Sequence, residues 1–189
     1  MAILPIRVAG DPVLRQKARK VGTIDASIQK LIDDMIETMR DAPGVGLAAN
    51  QVGVPLRIIV IEVPDEDDRT SERETWRLYT LINPQIVKRS GERVLDEGCL
   101  SVPGYKAPTP RSVSVTVKAL DRTGKGQRIK AENTLLAEAL EHEIDHLNGI
   151  LYIDHLESMD QLVRLDDEGD ADEEPEAEVN ATAQSGGRS

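Results

Sequence analysis

Apolar positions recur at helical spacing in two stretches of this chain and at strand spacing in several others. Ile28, Leu31, Ile32, Met35, Ile36 and Met39 fall on one face of a helix over residues 25–39, with Asp33, Asp34 and Glu37 expected to face outward. Before it, Asp11-Pro12-Val13-Leu14-Arg15 has the form of a capped helix start, with Asp as N-cap and Pro at the first position. Pro43 and Gly44 end the helical region. The β-branched run 57–63 predicts a buried strand, and 64–74 a charged loop. Residues 79–87 predict a strand interrupted at Asn83-Pro84. Residues 113–120 alternate with period two and predict a half-buried antiparallel strand. A turn over 121–126 and a returning strand over 127–130 complete a hairpin.

The second helical pattern begins at Asn133 or Thr134 as cap and stops at Gly149. Leu136, Leu140, Ile144 and Leu147 form its core stripe. Leu135, Ala139, His142 and His146 form the stripe beside it, and Glu138, Glu141 and Asp145 lie farther round. Residues 151–156 are apolar enough to pack back on the body. No internal repeat is present.

Composition narrows the class. The length of 189 residues suits one domain with an ordinary core. With one Trp, three Tyr and no Phe, that core must be aliphatic. The N-terminal apolar run is short and broken by Pro5 and Arg7, unlike a signal peptide, and no stretch reaches membrane-spanning length. One cysteine excludes an intrachain disulfide, so a cytoplasmic protein is expected. The net charge of −11 is uneven. Residues 166–189 hold nine acidic residues against one arginine, a net of −8, which leaves −3 for 1–165. The tail lacks the apolar residues to support order, and no basic stripe indicates nucleic-acid binding.

Glu141-His142-Glu143-Ile144-Asp145-His146-Leu147 holds the chemistry. Histidines four apart on a helix share a face, so both imidazoles can reach one metal ion. Glu143, rotated about 100° from His142, leans over the same site as a general base rather than a ligand. A catalytic site of this kind takes a third protein ligand and keeps one open position. Cys99 is a candidate, its special backbone marked by Gly98 and Pro103-Gly104, although a lone cysteine is more often a small core residue. The small-residue run 44–53 is not a phosphate loop. It fits a tight turn, or a place where backbone approaches a ligand.

Three ordered motifs resemble those of the peptide deformylases: Gly44-Val45-Gly46-Leu47-Ala48-Ala49-Asn50-Gln51, then Glu97-Gly98-Cys99-Leu100-Ser101, then His142-Glu143-Ile144-Asp145-His146-Leu147. The resemblance runs from about Ile6 to Leu156. It implies hydrolysis of the N-formyl group from the formyl-methionine of newly synthesised polypeptides, releasing formate. It further implies ligation of one divalent metal by Cys99, His142 and His146. Ferrous iron is the family's usual native ion, and zinc, nickel or cobalt can occupy such sites. Glu143 would be the general base, and the Gln51 amide and Leu100 backbone N–H the oxyanion donors. Gly44, Val45 and Gly46 would offer a strand edge to the peptide. Val45, Leu95, Leu135 and Ala139 would line the methionine pocket, with Glu97 also in the substrate region and paired to a structural Arg111.

Pattern and resemblance together imply an α+β fold, with antiparallel sheets packed around a central metal-binding helix and helices at the N-terminus. The catalytic domain would occupy 1–165 and a disordered acidic C-terminal tail 166–189. Expected partners are N-formylmethionyl nascent peptides and, transiently, the ribosome. Sequence-specific nucleic-acid binding and a membrane are not expected, and a monomer is. The chain departs from the family pattern at Pro43, where an acidic residue is common, and at Glu141, where Gln is. It also departs at Asn133-Thr134, where a Gly is usual, and at Glu138, where an Arg or apolar residue is usual. These departures bear on substrate preference and rate. His155 is expected at the surface. Two alternatives remain: a zinc metallopeptidase whose third ligand is His155 or Glu157, and a non-catalytic relative with a structural metal.

Overall fold

A computed structural model describes residues 2–42, 44–64 and 75–165. The charged segment over 65–74, Pro43 and the acidic tail over 166–189 lie outside the described residues. Two antiparallel sheets and two α-helices make up the fold. One sheet holds β1 (Gly46–Ala48), β2 (Ile58–Val63), β3 (Arg77–Ser90), β6 (Ser114–Leu120) and β7 (Gly126–Glu132), in the order β1-β2-β3-β6-β7. The other holds β4 (Arg93–Cys99), β5 (Val102–Arg111) and β8 (Val163–Arg164), in the order β4-β5-β8. The helices are α1 (Ala26–Asp41) and α2 (Leu135–Leu147).

Each helix covers one face of the larger sheet. Every residue of β2 is buried. Ile59 and Ile61 pack with Val115, Val117, Leu136, Leu140 and Ile144 on the α2 side. Ile58 and Val60 pack with Ile32, Met35 and Met39 on the α1 side. A strand sandwiched between two helices needs apolar residues on both faces, which is why 57–63 reads as a continuous run rather than an alternation. A third cluster, with Leu14, Val102, Ala107, Leu151 and Tyr152, lies under the smaller sheet.

Several expectations change. The N-terminal motif forms one tight turn (Pro12–Arg15) rather than an α-helix, although Asp11 caps it as expected, accepting from the Val13 N–H at 3.0 Å. Asp34 is buried, not outward, because the N-terminal strand of chain lies across α1. It accepts from the Ala2 N–H at 2.9 Å and pairs with Lys30 at 2.5 Å. β3 passes through Asn83-Pro84 without stopping. The register shift there is a bulge, with Asn83 at φ 54, and a bulge absorbs the missing proline donor. β6 is buried at nearly every position rather than half-buried. Its Thr116, buried, lies directly opposite Lys88 on β3 and Lys130 on β7.

α2 begins where Thr134 accepts from the Ala137 N–H at 3.3 Å. Asn133 precedes it at φ 53, and Asn is the residue that best takes a position where the family usually has Gly. At the other end Gly149 has φ 78. A Cβ there would meet the Arg15 carbonyl oxygen at 2.6 Å, so two constraints require glycine. Glu141, the acid in place of Gln, accepts from Arg89 Nε at 2.9 Å and from the Ser112 N–H and hydroxyl at 2.7 and 3.1 Å. All three partners donate, so an acceptor-only carboxylate suits the spot.

Candidate active site

α2 carries His142 and His146 one above the other, with ring centroids 4.9 Å apart. The β4–β5 hairpin places Cys99 opposite them at its tip. Cys99 Sγ is 3.1 Å from His146 Nε2, and the donor atoms of Cys99, His142 and His146 all lie within 4.8 Å of one another. His155 and Glu157 are not part of that cluster. His155 is half-buried, its Nε2 2.9 Å from Asp145 Oδ2, and it lies outside the cluster, in keeping with the expectation that it is not a ligand.

The ring of His142 is held from behind. Its Nδ1 lies 3.0 Å from Glu97 Oε2, which leaves Nε2 facing the cluster. Glu97 is gripped in turn by Arg111, with Nε to Oε1 at 2.5 Å and Nη2 to Oε2 at 2.8 Å, while Arg111 Nη1 reaches Asp145 at 2.6 Å. The expected Glu97–Arg111 pair is therefore buried, forked and tied to a candidate ligand. Burial opposes ionisation of Glu97, but Arg111 and His142 hold its carboxyl below the usual range.

The group fits a cation. Burial, with His142 alongside, pushes His146 well below its ordinary pKa and leaves the ring neutral, the ligating form. Burial also works against a charge on His142, but Cys99 and Glu97 flank it and draw a proton onto it. A pocket that attracts positive charge between a thiol and two imidazoles suits a divalent ion of borderline softness.

Glu143 stands beside this cluster, fully enclosed. Its Oε2 has no hydrogen-bond partner among the described residues. Its carboxyl lies against Gly46, where a Cβ would collide with it. Burial raises its pKa to about 7. Gln51, buried in the turn after β1, accepts from the Ala48 N–H through Oε1 at 2.8 Å. That contact assigns the amide, so Nε2 points to Ser101 Oγ at 3.1 Å and towards Cys99 Sγ at 3.8 Å. The N-terminal segment ties both turns together, with the Arg7 N–H on the Gln51 carbonyl and the Ala9 N–H on the Ser101 carbonyl, each at 2.7 Å.

A cavity of about 500 Å³ opens over these groups. It brings together Gly44, Val45, Gly46, Gln51, Glu97, Cys99, Leu100, Leu135, Ala139, His142 and Glu143. Leu95 does not line it. It sits two residues before Glu97 on β4, farther along the same strand face. Val102, Pro103, Gly104, Tyr105, Glu138 and Leu165 also line it. Of these, Pro103-Gly104 carried a local signal. Val102 and Tyr105 enter only through the pairing of β5 with β4 and β8.

A His-Glu-x-x-His helix, a facing cysteine and an open cavity define a metal-dependent hydrolase. A family model for polypeptide deformylase matches residues 3–162, and the chain belongs to that family. It is 54% identical over 176 residues to a peptide deformylase of Dehalococcoides mccartyi strain CBDB1, covering 93% of this chain and 98% of that one. It is 50% identical over 167 residues to one of Rhizobium meliloti strain 1021, covering 87% and 92%. Among solved structures it resembles a peptide deformylase from Legionella pneumophila, with TM-score 0.75 and 48% identity over 85% of this chain and 89% of that one. It also resembles one from Ehrlichia chaffeensis in complex with actinonin, with TM-score 0.77 and 43% identity over 85% and 92%.

Proposed function

We propose that this peptide deformylase removes the formyl group from the amino-terminal formyl-methionine of new polypeptides through Cys99, His142, His146, Glu143, Gln51 and Leu100. The observation that carries this reading is the convergence of Cys99, His142 and His146 at the cavity, beside the buried carboxylate of Glu143, whose Oε2 has no hydrogen-bond partner among the described residues. Cys99, His142 and His146 hold one divalent ion, natively ferrous iron, with zinc, nickel and cobalt suited to the same donors. When bound, that ion supplies Lewis acidity, making a water acidic near neutral pH and polarising a carbonyl.

Glu143 takes a proton from the attacking water as its oxygen bonds to the formyl carbon. A carboxyl raised to about 7 is poised to accept that proton and give it back. The resulting oxyanion is met by Gln51 Nε2 and the Leu100 N–H. The C–N bond then breaks, Glu143 passes its proton to the leaving nitrogen, and formate and a free amino terminus result. Gln51 is oriented for this by Ala48 and Ser101.

The peptide binds along residues 44–46. Among the described residues, β1 is an edge strand of the larger sheet, paired only with β2. An extended peptide can add there through main-chain hydrogen bonds, tolerating many sequences beyond methionine. Val45, Leu135 and Ala139 receive the methionine side chain. The enzyme works as a cytoplasmic monomer that meets nascent chains at the ribosome. The catalytic unit is 1–165, with 166–189 as an appended tail.

The metallopeptidase alternative differs in its third ligand. Under the deformylase reading, Cys99→Ala loses bound metal, measured as metal per chain in anaerobically purified protein. Full metal occupancy in that variant would contradict the ligand set.

A further inference from the structure

One part of the larger sheet carries positive charge with too few acids to meet it. Leu120, at the end of β6, packs in the cluster on the α1 side. Lys118, Thr116 and Ser114 precede it at every second position and so share that face. Strand pairing sets Lys88 of β3 and Lys130 of β7 opposite Thr116, and Arg128 of β7 opposite Lys118. Lys88, Lys118, Arg128 and Lys130 are all exposed. Lys130 pairs with Glu132 at 2.7 Å, but Lys88, Lys118 and Arg128 have no ion pair among the described residues. By contrast Arg15, Lys30, Arg40 and Arg89, also exposed, each have a carboxylate partner. Like charges directly opposite on neighbouring strands are destabilising, as with Lys118 and Arg128, and an anion between them removes that cost. Lys88, Arg128 and Lys130 line a groove of about 530 Å³ together with Ser90, Ser114 and Thr116, whose hydroxyls can donate to a carboxylate. Glu132 is the one acid among the described residues that line it.

The chain itself supplies a matching anion. All nine acids of the tail fall within residues 166–178. That stretch follows Leu165, which lines the active-site cavity, as does Leu135. Leu135 is the third residue after Glu132 of the groove. Thirteen residues reach about 45 Å, roughly twice the length of a strand such as β7. A separate polyanion would meet a chain of net charge −11, whereas a tethered segment has an effective concentration on the order of 1 mM. No aromatic side chain lines the groove among the described residues, so nothing there stacks a nucleic-acid base. We propose that residues 166–178 dock on the face formed by Lys88, Lys118 and Arg128 of their own chain. None of these three lines the active-site cavity, so docking leaves the chemistry alone. The pairs are exposed and screened by salt, so docking adds little to the stability of the fold.

The test is zero-length carbodiimide cross-linking of the full chain at low ionic strength, in an equal mixture of unlabelled and isotope-labelled protein, read by mass spectrometry. Carboxylates of 166–178 join to the Lys88 and Lys118 amines within one chain, about threefold or more above their joining to the exposed Lys17 and Lys20. Salt at about 0.5 M abolishes that preference. Arg128→Glu lowers the Lys88 and Lys118 yields by about threefold, and Arg128→Lys keeps them. Both variants release formate from formyl-Met-Ala-Ala as the wild type does. Yields spread evenly over Lys17, Lys20, Lys88 and Lys118 overturn the proposal, as do yields indifferent to Arg128→Glu. Cross-links that join labelled to unlabelled chains would place a second copy's tail on this face and overturn it as well.

Discussion

At the residue scale, the site is built from pairs in which one side chain disciplines another. Glu97 sets the ring of His142, Arg111 sets Glu97, and Asp145 receives both Arg111 and His155. Removing Arg111 leaves two buried carboxylates without their cation. Arg111→Ala should therefore cost about 3–5 kcal/mol in denaturant unfolding. Glu97→Gln should weaken metal affinity by about 10- to 100-fold, read by competition with a chelator. Affinity equal to wild type would show that Glu97 does not orient His142. Gly46 faces Glu143 so closely that Gly46→Ala should displace the carboxyl and lower kcat while leaving the overall fold intact by circular dichroism. Much of this layer was legible. His142, Glu143, His146 and the Glu97–Arg111 pair stand out by spacing or motif. Tyr105 and Val102 did not, because nothing local marks a residue that reaches the cavity only through strand pairing. Asp34 was misread for the same reason, since its partner Ala2 is distant in sequence.

At the element scale, α2 is both core and catalytic platform. Leu140 and Ile144 pack on the large sheet while His142 and His146 face the hairpin. Leu140→Ala should destabilise by about 2–5 kcal/mol, read as a lowered urea midpoint at constant m-value. α1 carries an acid-sensitive contact. The Lys30 hydrogen bond, with the Ala2 N–H and against some desolvation, holds Asp34 below its ordinary pKa of 3.8. A lowered folded-state pKa adds stability above the ordinary value, and that stability is lost as pH falls through the folded-state value. Asp34→Asn should flatten the acid limb of the stability–pH curve, and an identical limb would remove Asp34 from the account. Both helices and β6 were visible as periodicities of 3.6 or 2, β2 as a continuous β-branched run, and β7 as the return after a turn. β4 and β5 were not read as a hairpin, because residues 93–111 carry glycines, prolines and charges rather than a clean alternation. Their geometry is nevertheless what brings Cys99 to the two histidines.

At the scale of the whole molecule, the turn around β1, the hairpin tip and α2 close on one another around the cavity, and the N-terminal segment ties the first two together. Removing bound metal with a chelator should lower Tm, because an ion that binds only the folded chain stabilises it by mass action. A chain ended after Leu165, which itself lines the cavity, should keep its kcat/KM and its Tm. Loss of activity on that truncation would make 166–189 part of the catalytic unit. The central claim is that Glu143 moves the proton while Cys99, His142 and His146 hold the ion. The most direct measurement compares formate release from formyl-Met-Ala-Ala by wild-type and Glu143→Ala protein at equal metal content. The site predicts a loss in kcat of at least about 100-fold with the metal retained. Undiminished formate release by the metal-loaded variant would contradict it.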